Sequence, residues 1–283
     1  MPAYVGINFS FHPLLALFLQ KNRYSVTAFS GDSFMKLNQI AALCALASTA
    51  AFTQASPIVW QDFSLTGLYG DNYLNPFSQQ EGERYTITAE YAAKLKYSDV
   101  FFFVDQQWGG KDGDSTYLEL APRLSLSEVS GQKLSVGPIK DVLIATTWEH
   151  NAGYNNNTEF NNFLYGVGFA LDIPYTQYAN INFYRADNDL TEDDYQMTIT
   201  YAVPFKLGNE EFLADAFLDW STNEGPGHAS ELNWTSQYKW NVGKHISPKT
   251  KLYVGVEHSV WNNKFGQKGQ DQNDVSALVK YHF

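Results

Sequence analysis

The sequence predicts an all-β fold, a transmembrane antiparallel up-and-down β-barrel of about twelve strands. Three observations lead there. From Ile58 onward, segments of ten to fourteen residues alternate apolar with polar side chains, and polar Gly/Asn/Asp-rich stretches separate them. The longest apolar run, Ile40 to Phe52, falls short of the roughly eighteen residues of a spanning helix, so any crossing must be made by strands. The chain ends on Phe283, with Tyr281, Val279, Ala277 and Val275 spaced by two before it, which resembles the terminal strand signal of outer-membrane barrels.

The alternation is clearest from Arg84 to Tyr97. Tyr85, Ile87, Ala89, Tyr91, Ala93, Leu95 and Tyr97 form a face suited to lipid, and Arg84, Thr86, Thr88, Glu90, Ala92, Lys94 and Lys96 a face suited to water. The same pattern recurs at Leu232, Trp234, Tyr238, Trp240 and Val242, and at Phe163, Tyr165, Val167, Phe169 and Leu171. Strands are expected near 58–69, 84–97, 99–108, 116–127, 138–149, 160–173, 177–186, 194–205, 211–222, 231–242, 251–261 and 274–283. The count is even, as bacterial single-chain barrels require.

The connections alternate too. Asp71 to Gly82, Gly109 to Ser115, Asn151 to Glu159, Asp187 to Asp193, Thr222 to Ser230 and Asn262 to Asn273 read as polar loops on one rim. The intervening turns are mostly shorter, Glu128 to Gly137 excepted. Trp60, Tyr69, Tyr97, Trp108, Trp148, Trp220 and Trp261 at strand ends suggest aromatic girdles at the two interfaces. A soluble β-sandwich could use such aromatics as core; the apolar terminal strand favours the barrel.

Ahead of the barrel, Met35-Lys36-Leu37-Asn38, the Ile40 to Phe52 run and Thr53-Gln54-Ala55 have the basic start, apolar middle and small final residue of a secretory signal. The expected organisation is a mis-assigned extension over 1–34, a signal peptide over 35–55 cut after Ala55, and an outer-membrane barrel over 56–283. Cys44, the single cysteine, lies inside that signal, so no disulfide framework is expected. The whole chain has 19 basic and 30 acidic side chains. Removing Lys21, Arg23, Lys36 and Asp32 leaves 16 and 29, a net charge of −13 over 228 residues, which repels nucleic acid polymers.

Twelve strands about 4.8 Å apart and tilted about 40° enclose a backbone diameter of roughly 24 Å, which side chains narrow to a path for one small molecule. Parity directs Arg84, Glu90, Lys94, Asp105, Glu119, Arg123, Glu149, Lys239, Glu257 and Lys280 into this lumen. Phe101, Phe103, Tyr117, Tyr178, Tyr184 and Tyr253 share that direction. Aromatic faces beside hydrogen-bonding groups suit a flat polar ring. The expected substrate-binding set is Phe101, Phe103, Asp105, Glu90, Glu119, Arg123, Tyr117, Arg84 and Lys94. The plainer expectation is that mixed charges pair and stiffen the wall.

Leu118 to Val142 contains L-E-L-A-P-R-L-S-L-S-E-V followed by L-S-V-G-P-I-K-D-V. With Trp60, Glu90, Asp99 and Asp105, the residues Glu119, Pro122, Arg123, Ser125, Leu134, Ser135, Gly137, Pro138, Lys140 and Asp141 resemble the nucleoside-specific channel-forming proteins, the Tsx family. The resemblance is good to about residue 150 and afterwards rests on strand rhythm. It implies a monomeric barrel in the outer membrane of a Gram-negative bacterium, embedded in lipid, that lets nucleosides or similar small solutes diffuse inward. It also implies bacteriophage attachment at the outer loops. The family's D-x-Y-x-Y-x-D strand here reads Asp99-Val100-Phe101-Phe102-Phe103-Val104-Asp105, and Ala121 stands where an acid is common. Stacking surface survives these departures; two hydroxyls do not.

No cofactor motif occurs, no histidine pair has zinc spacing, and no serine nucleophile motif accompanies His150, His228, His245, His258 or His282, so neither a metal site nor catalysis is expected. The alternative to a channel is a surface or phage receptor without a solute path, with function in the loops Asp71 to Gly82 and Asn262 to Asn273.

Overall fold

The pleat of a strand sends successive side chains to opposite faces, so a segment with one greasy and one polar face is stable only between two unlike environments. The computed structural model describes residues 58–109, 113–153 and 159–283; the extension and signal expected over 1–55 lie outside them. The alternating segments become β1 (Ile58–Asn75), β2 (Gln80–Leu95), β3 (Ser98–Trp108), β4 (Ser115–Ser125), β5 (Ile139–Ala152), β6 (Phe160–Leu171), β7 (Tyr178–Asp187), β8 (Asp194–Leu207), β9 (Glu210–Ser221), β10 (Glu231–Asn241), β11 (Lys251–Asn262) and β12 (Gln272–His282). Each pairs antiparallel with its chain neighbours, and β1 closes on β12 from Ser64 opposite His282 to Tyr69 opposite Ala277. Closure leaves no open edge, which is what hydrocarbon demands of a sheet. Among the described residues no helix is long and apolar enough to cross a membrane, so the strands make the crossing.

Burial in this sheet is inverted relative to a soluble fold. Along β12, Gln272, Asp274, Ser276 and Lys280 are buried while Val275, Val279 and Tyr281 are exposed. The apolar outer surface belongs to lipid and the polar inner surface to the lumen. The seam is tied at the short-turn rim, where His282 Nδ1 lies 2.5 Å from Asp62 and the Phe283 ring packs 5.3 Å from that of Phe63.

Three expectations need correction. The stretch 71–82 is a hairpin rather than a loop: β1 runs to Asn75, whose side-chain oxygen accepts from the amides of Phe77 and Ser78 at 2.8 and 3.1 Å. Beyond the bilayer the outward face need not be apolar, so alternation fades while the ladder continues past a register shift between Gly70 and Tyr73. The 128–137 connection is partly helical, because Ser125 caps α1 (Leu126–Ser130) by accepting from Glu128 N, and Gly131 ends it at φ 68°. Finally, Trp60 and Trp261 are not on the lipid face. Their partners Lys94 and Gln272 put them on the lumen face. Residue type suggested a girdle, but an indole N–H needs an acceptor, and that of Trp261 finds Glu231 at 2.9 Å inside. Tyr69, Trp108, Trp148 and Trp220 keep outward parity.

Candidate functional site

Directly opposed residues in an antiparallel ladder share a face, so the register places the expected site residues without ambiguity. Glu90 faces Phe103, Thr88 faces Asp105 and Ala92 faces Phe101 across β2 and β3. Phe103 faces Glu119, Asp105 faces Tyr117 and Asp99 faces Arg123 across β3 and β4. Arg84 lies opposite Gly70 and Lys94 opposite Trp60. All nine therefore share the lumen face, yet at different heights. Arg84 is near the long-loop mouth, Lys94 and Arg123 are near the short-turn rim, and Glu90, Phe103, Asp105, Tyr117 and Glu119 occupy the middle.

A ladder of rings climbs one wall. Phe101 to Phe103 is 5.9 Å between centroids, Phe103 to Tyr117 5.8 Å, and Tyr117 to Phe160 on β6 6.4 Å, each tilted by 39° to 57°. Ala121, opposite Phe101, leaves that ring room. The Tyr117 hydroxyl donates to Glu119 at 2.7 Å, so the ladder carries a hydroxyl although Phe101 and Phe103 lack one. Sequence reasoning missed Phe160; its parity, opposite to that of Phe163, was the available signal. Of the other inward tyrosines, Tyr184 is packed with Ala145, Leu164 and Ala186, and Tyr253 lies 5.6 Å from His282, both away from this ladder. Tyr178 shares the lumen face opposite Ala202.

The charges divide into two sets. Several cations are held in ion pairs. Arg123 clasps Asp99 at 2.8 and 3.1 Å and reaches Asn182 on β7 at 3.4 Å. Lys239, 2% exposed, donates to Asp215 at 2.7 Å and to Gln237 at 2.9 Å, and Lys280 pairs with Glu90. Five carboxylates instead accept from neutral groups: Asp105 from Thr88 (2.6 Å), Glu119 from Tyr117, Glu149 from Asn162 (3.3 Å), Asp219 from Thr198 (2.5 Å) and Glu257 from Gln237 (2.8 Å). None of these five joins an ion pair among the described residues. Asp219 stands on β9 opposite Thr198 of β8, on the lumen face. Asp215 and Asp219 escaped sequence reasoning because Leu213 and Phe217 share their face and blur the polar side of β9.

Toward the mouth, a solvent-open recess is lined by Tyr73, Arg84, Asp105, Glu257, Gln272 and Asp274 among others. Arg84 is fixed there over the Tyr73 ring, 4.3 Å from its centroid. The motif that carried the family resemblance splits between roles: Arg123 reaches Asn182 on β7, whereas Ser125 donates to Asp141 at 2.5 Å and holds the α1 turn at the rim.

A closed barrel with a greasy exterior and a polar, ring-lined, carboxylate-rich lumen defines an outer-membrane channel. Comparisons with known proteins agree. The family profile described as "Nucleoside-specific channel-forming protein, Tsx" matches residues 60–283, and the chain belongs to that family. It is 25% identical over 214 residues to outer membrane protein OmpK of Vibrio parahaemolyticus, covering 69% of this chain and 78% of that one. It is 24% identical over 219 residues to the nucleoside-specific channel-forming protein Tsx of Salmonella typhimurium, covering 68% and 76%. Among solved structures, KdgM porin in complex with disordered oligogalacturonate aligns over 78% of this chain and 99% of that chain, at 9% identity and a TM-score of 0.44. The chain is thus an outer-membrane channel of a Gram-negative bacterium, and its family is one of channels rather than enzymes.

Proposed function

We propose that the lumen conducts nucleosides, or small solutes of like shape, passively from the long-loop mouth to the short-turn rim. The observation that carries this reading is the continuous ladder Phe101, Phe103, Tyr117 and Phe160 with Glu119 beside it. A base stacks on successive rings at about 1–3 kcal/mol each. The sugar hydroxyls donate to Asp105, Glu119 and Glu90, because a carboxylate is the natural acceptor for a hydroxyl. Arg84 gathers solutes at the mouth, while Arg123 and Lys94 lie toward the exit. The five carboxylates without a cationic partner repel phosphate, so the uncharged nucleoside passes more readily than its nucleotide. Repeated weak sites let a solute enter and also leave.

Single-channel recording in planar bilayers tests this. Added nucleoside is expected to block the current reversibly, and liposomes are expected to swell faster in nucleosides than in sugars or amino acids of similar size. Conductance without block reduces the protein to a general pore. No conductance at all turns the reading toward a receptor whose loops, including any bacteriophage attachment, carry the function.

A further inference from the structure

The geometry points to a binding site for one divalent cation of the zinc type at the long-loop mouth, built by Glu224, His228 and Glu231. The β9–β10 loop brings them together. Their donor atoms all lie within 4.8 Å of one another; two ligands about 2.1 Å from one ion stand roughly 3.4 Å apart, so binding requires the side chains to draw together.

Both carboxylates are oriented by hydrogen-bond donors, and the imidazole is not. Glu224 Oε2 accepts from Thr191 at 2.5 Å, and Glu231 Oε2 accepts from Trp261 Nε1 at 2.9 Å and from Gly266 N at 3.3 Å. Glu224 Oε1 accepts from no donor among the described residues. His228 Nδ1 is buried without a hydrogen-bond partner, and Nε2 is 3.5 Å from Glu224 Oε2, the oxygen that also accepts from Thr191, long for a hydrogen bond. Hydrogen bonds from neighbouring donors are how metal-binding carboxylates are aimed.

The loop is pre-shaped. Gly225 and Gly227 hold φ of 97° and 92°, and Ala229 N donates to Gly266 O at 2.8 Å. A Cβ on Gly266 would strike the His228 ring, so only glycine lets the imidazole lie here. A simple Glu–His ion pair does not account for the cluster. The Glu224–His228 separation of 3.5 Å is too long for a tight pair, and Nδ1 has no hydrogen-bond partner at all. Neutral imidazole is the ligand form, and one nitrogen with two carboxylate oxygens is a donor set zinc accepts, leaving a position for water. No recognised metal spacing marks E-x-x-x-H-x-x-E in the sequence, which is why it predicted none. A bound ion would clamp the β9–β10 loop to the β11–β12 loop through Glu231 and Gly266.

Zinc ion alone, titrated calorimetrically into the EDTA-stripped barrel in detergent with excess magnesium, tests the site. One saturable site is expected, weakened at least about tenfold in His228→Ala and in Glu224→Gln, while a heat-dependent gel shift shows each variant folded. Absence of saturable binding overturns the proposal. So does unchanged affinity in whichever variant folds, which would place the ion on other histidines or surface acids.

Discussion

The Lys264 ammonium lies 3.4 Å from the centroid of the Tyr73 ring, so the β11–β12 loop is fastened to the β1 wall by a charge hidden from water. Nζ also donates to Leu74 O at 2.9 Å and Gln272 Oε1 at 2.6 Å, with Trp261 5.1 Å away. Lys264→Met keeps the aliphatic stem and removes the cation–π attraction, about 2 kcal/mol when desolvated, along with two hydrogen bonds. The expected result is a looser mouth, seen as greater open-channel noise in bilayer recordings. Noise equal to wild type would show that the loop is held elsewhere.

Removing Lys239 strands Asp215 in the wall. Breaking a buried pair from one side costs about 3–5 kcal/mol, and Lys239 is 2% exposed. Lys239→Ala should unfold at clearly lower urea concentration than wild type in a reversible detergent or lipid system, and Lys239→Ala with Asp215→Ala should recover part of the loss. Failure of the double variant to recover any would assign the cost to lost packing.

Stacking surface should matter more to solute block than rim charge. Phe101→Ala with Phe103→Ala removes two rungs of the ladder, and the apparent block constant for a nucleoside is expected to weaken by about tenfold, near 1.4 kcal/mol. Lys94→Ala, below the ladder, should change it little. Equal effects would remove the aromatic track from the binding reading.

Carboxylates without cationic partners should make the open lumen prefer cations. Reversal potentials across a potassium chloride gradient are expected to show that preference, and Asp105→Asn with Glu119→Gln and Asp219→Asn should reduce it severalfold. A wild-type lumen that favours chloride would mean that Arg84, Arg123 and the lysines set the field instead.

Much of this was legible from residues alone. The expected strand at 160–173 became Phe160–Leu171 and that at 231–242 became Glu231–Asn241, because period-two segregation is written directly by the pleat. The nine expected lumen residues kept their face for the same reason. Errors arose where parity was outweighed by residue type, as at Trp60 and Trp261, or where alternation lapsed beyond the bilayer, as in the β1–β2 hairpin. Phe160, Asp215 and Asp219 had the right parity but weak context.

By itself the sequence determined the number of strands, the face taken by the alternating side chains within the bilayer and the acidic excess of the barrel, all of them local or additive properties. Tertiary structure alone decided which inward groups meet: Arg123 on β4 with Asn182 on β7, Lys264 with Tyr73 across 191 positions, and Glu224 with Glu231 at the mouth. Those meetings depend on how far the strands are staggered when β12 locks onto β1, and that stagger is set cooperatively by the whole ring of backbone hydrogen bonds rather than by any one segment.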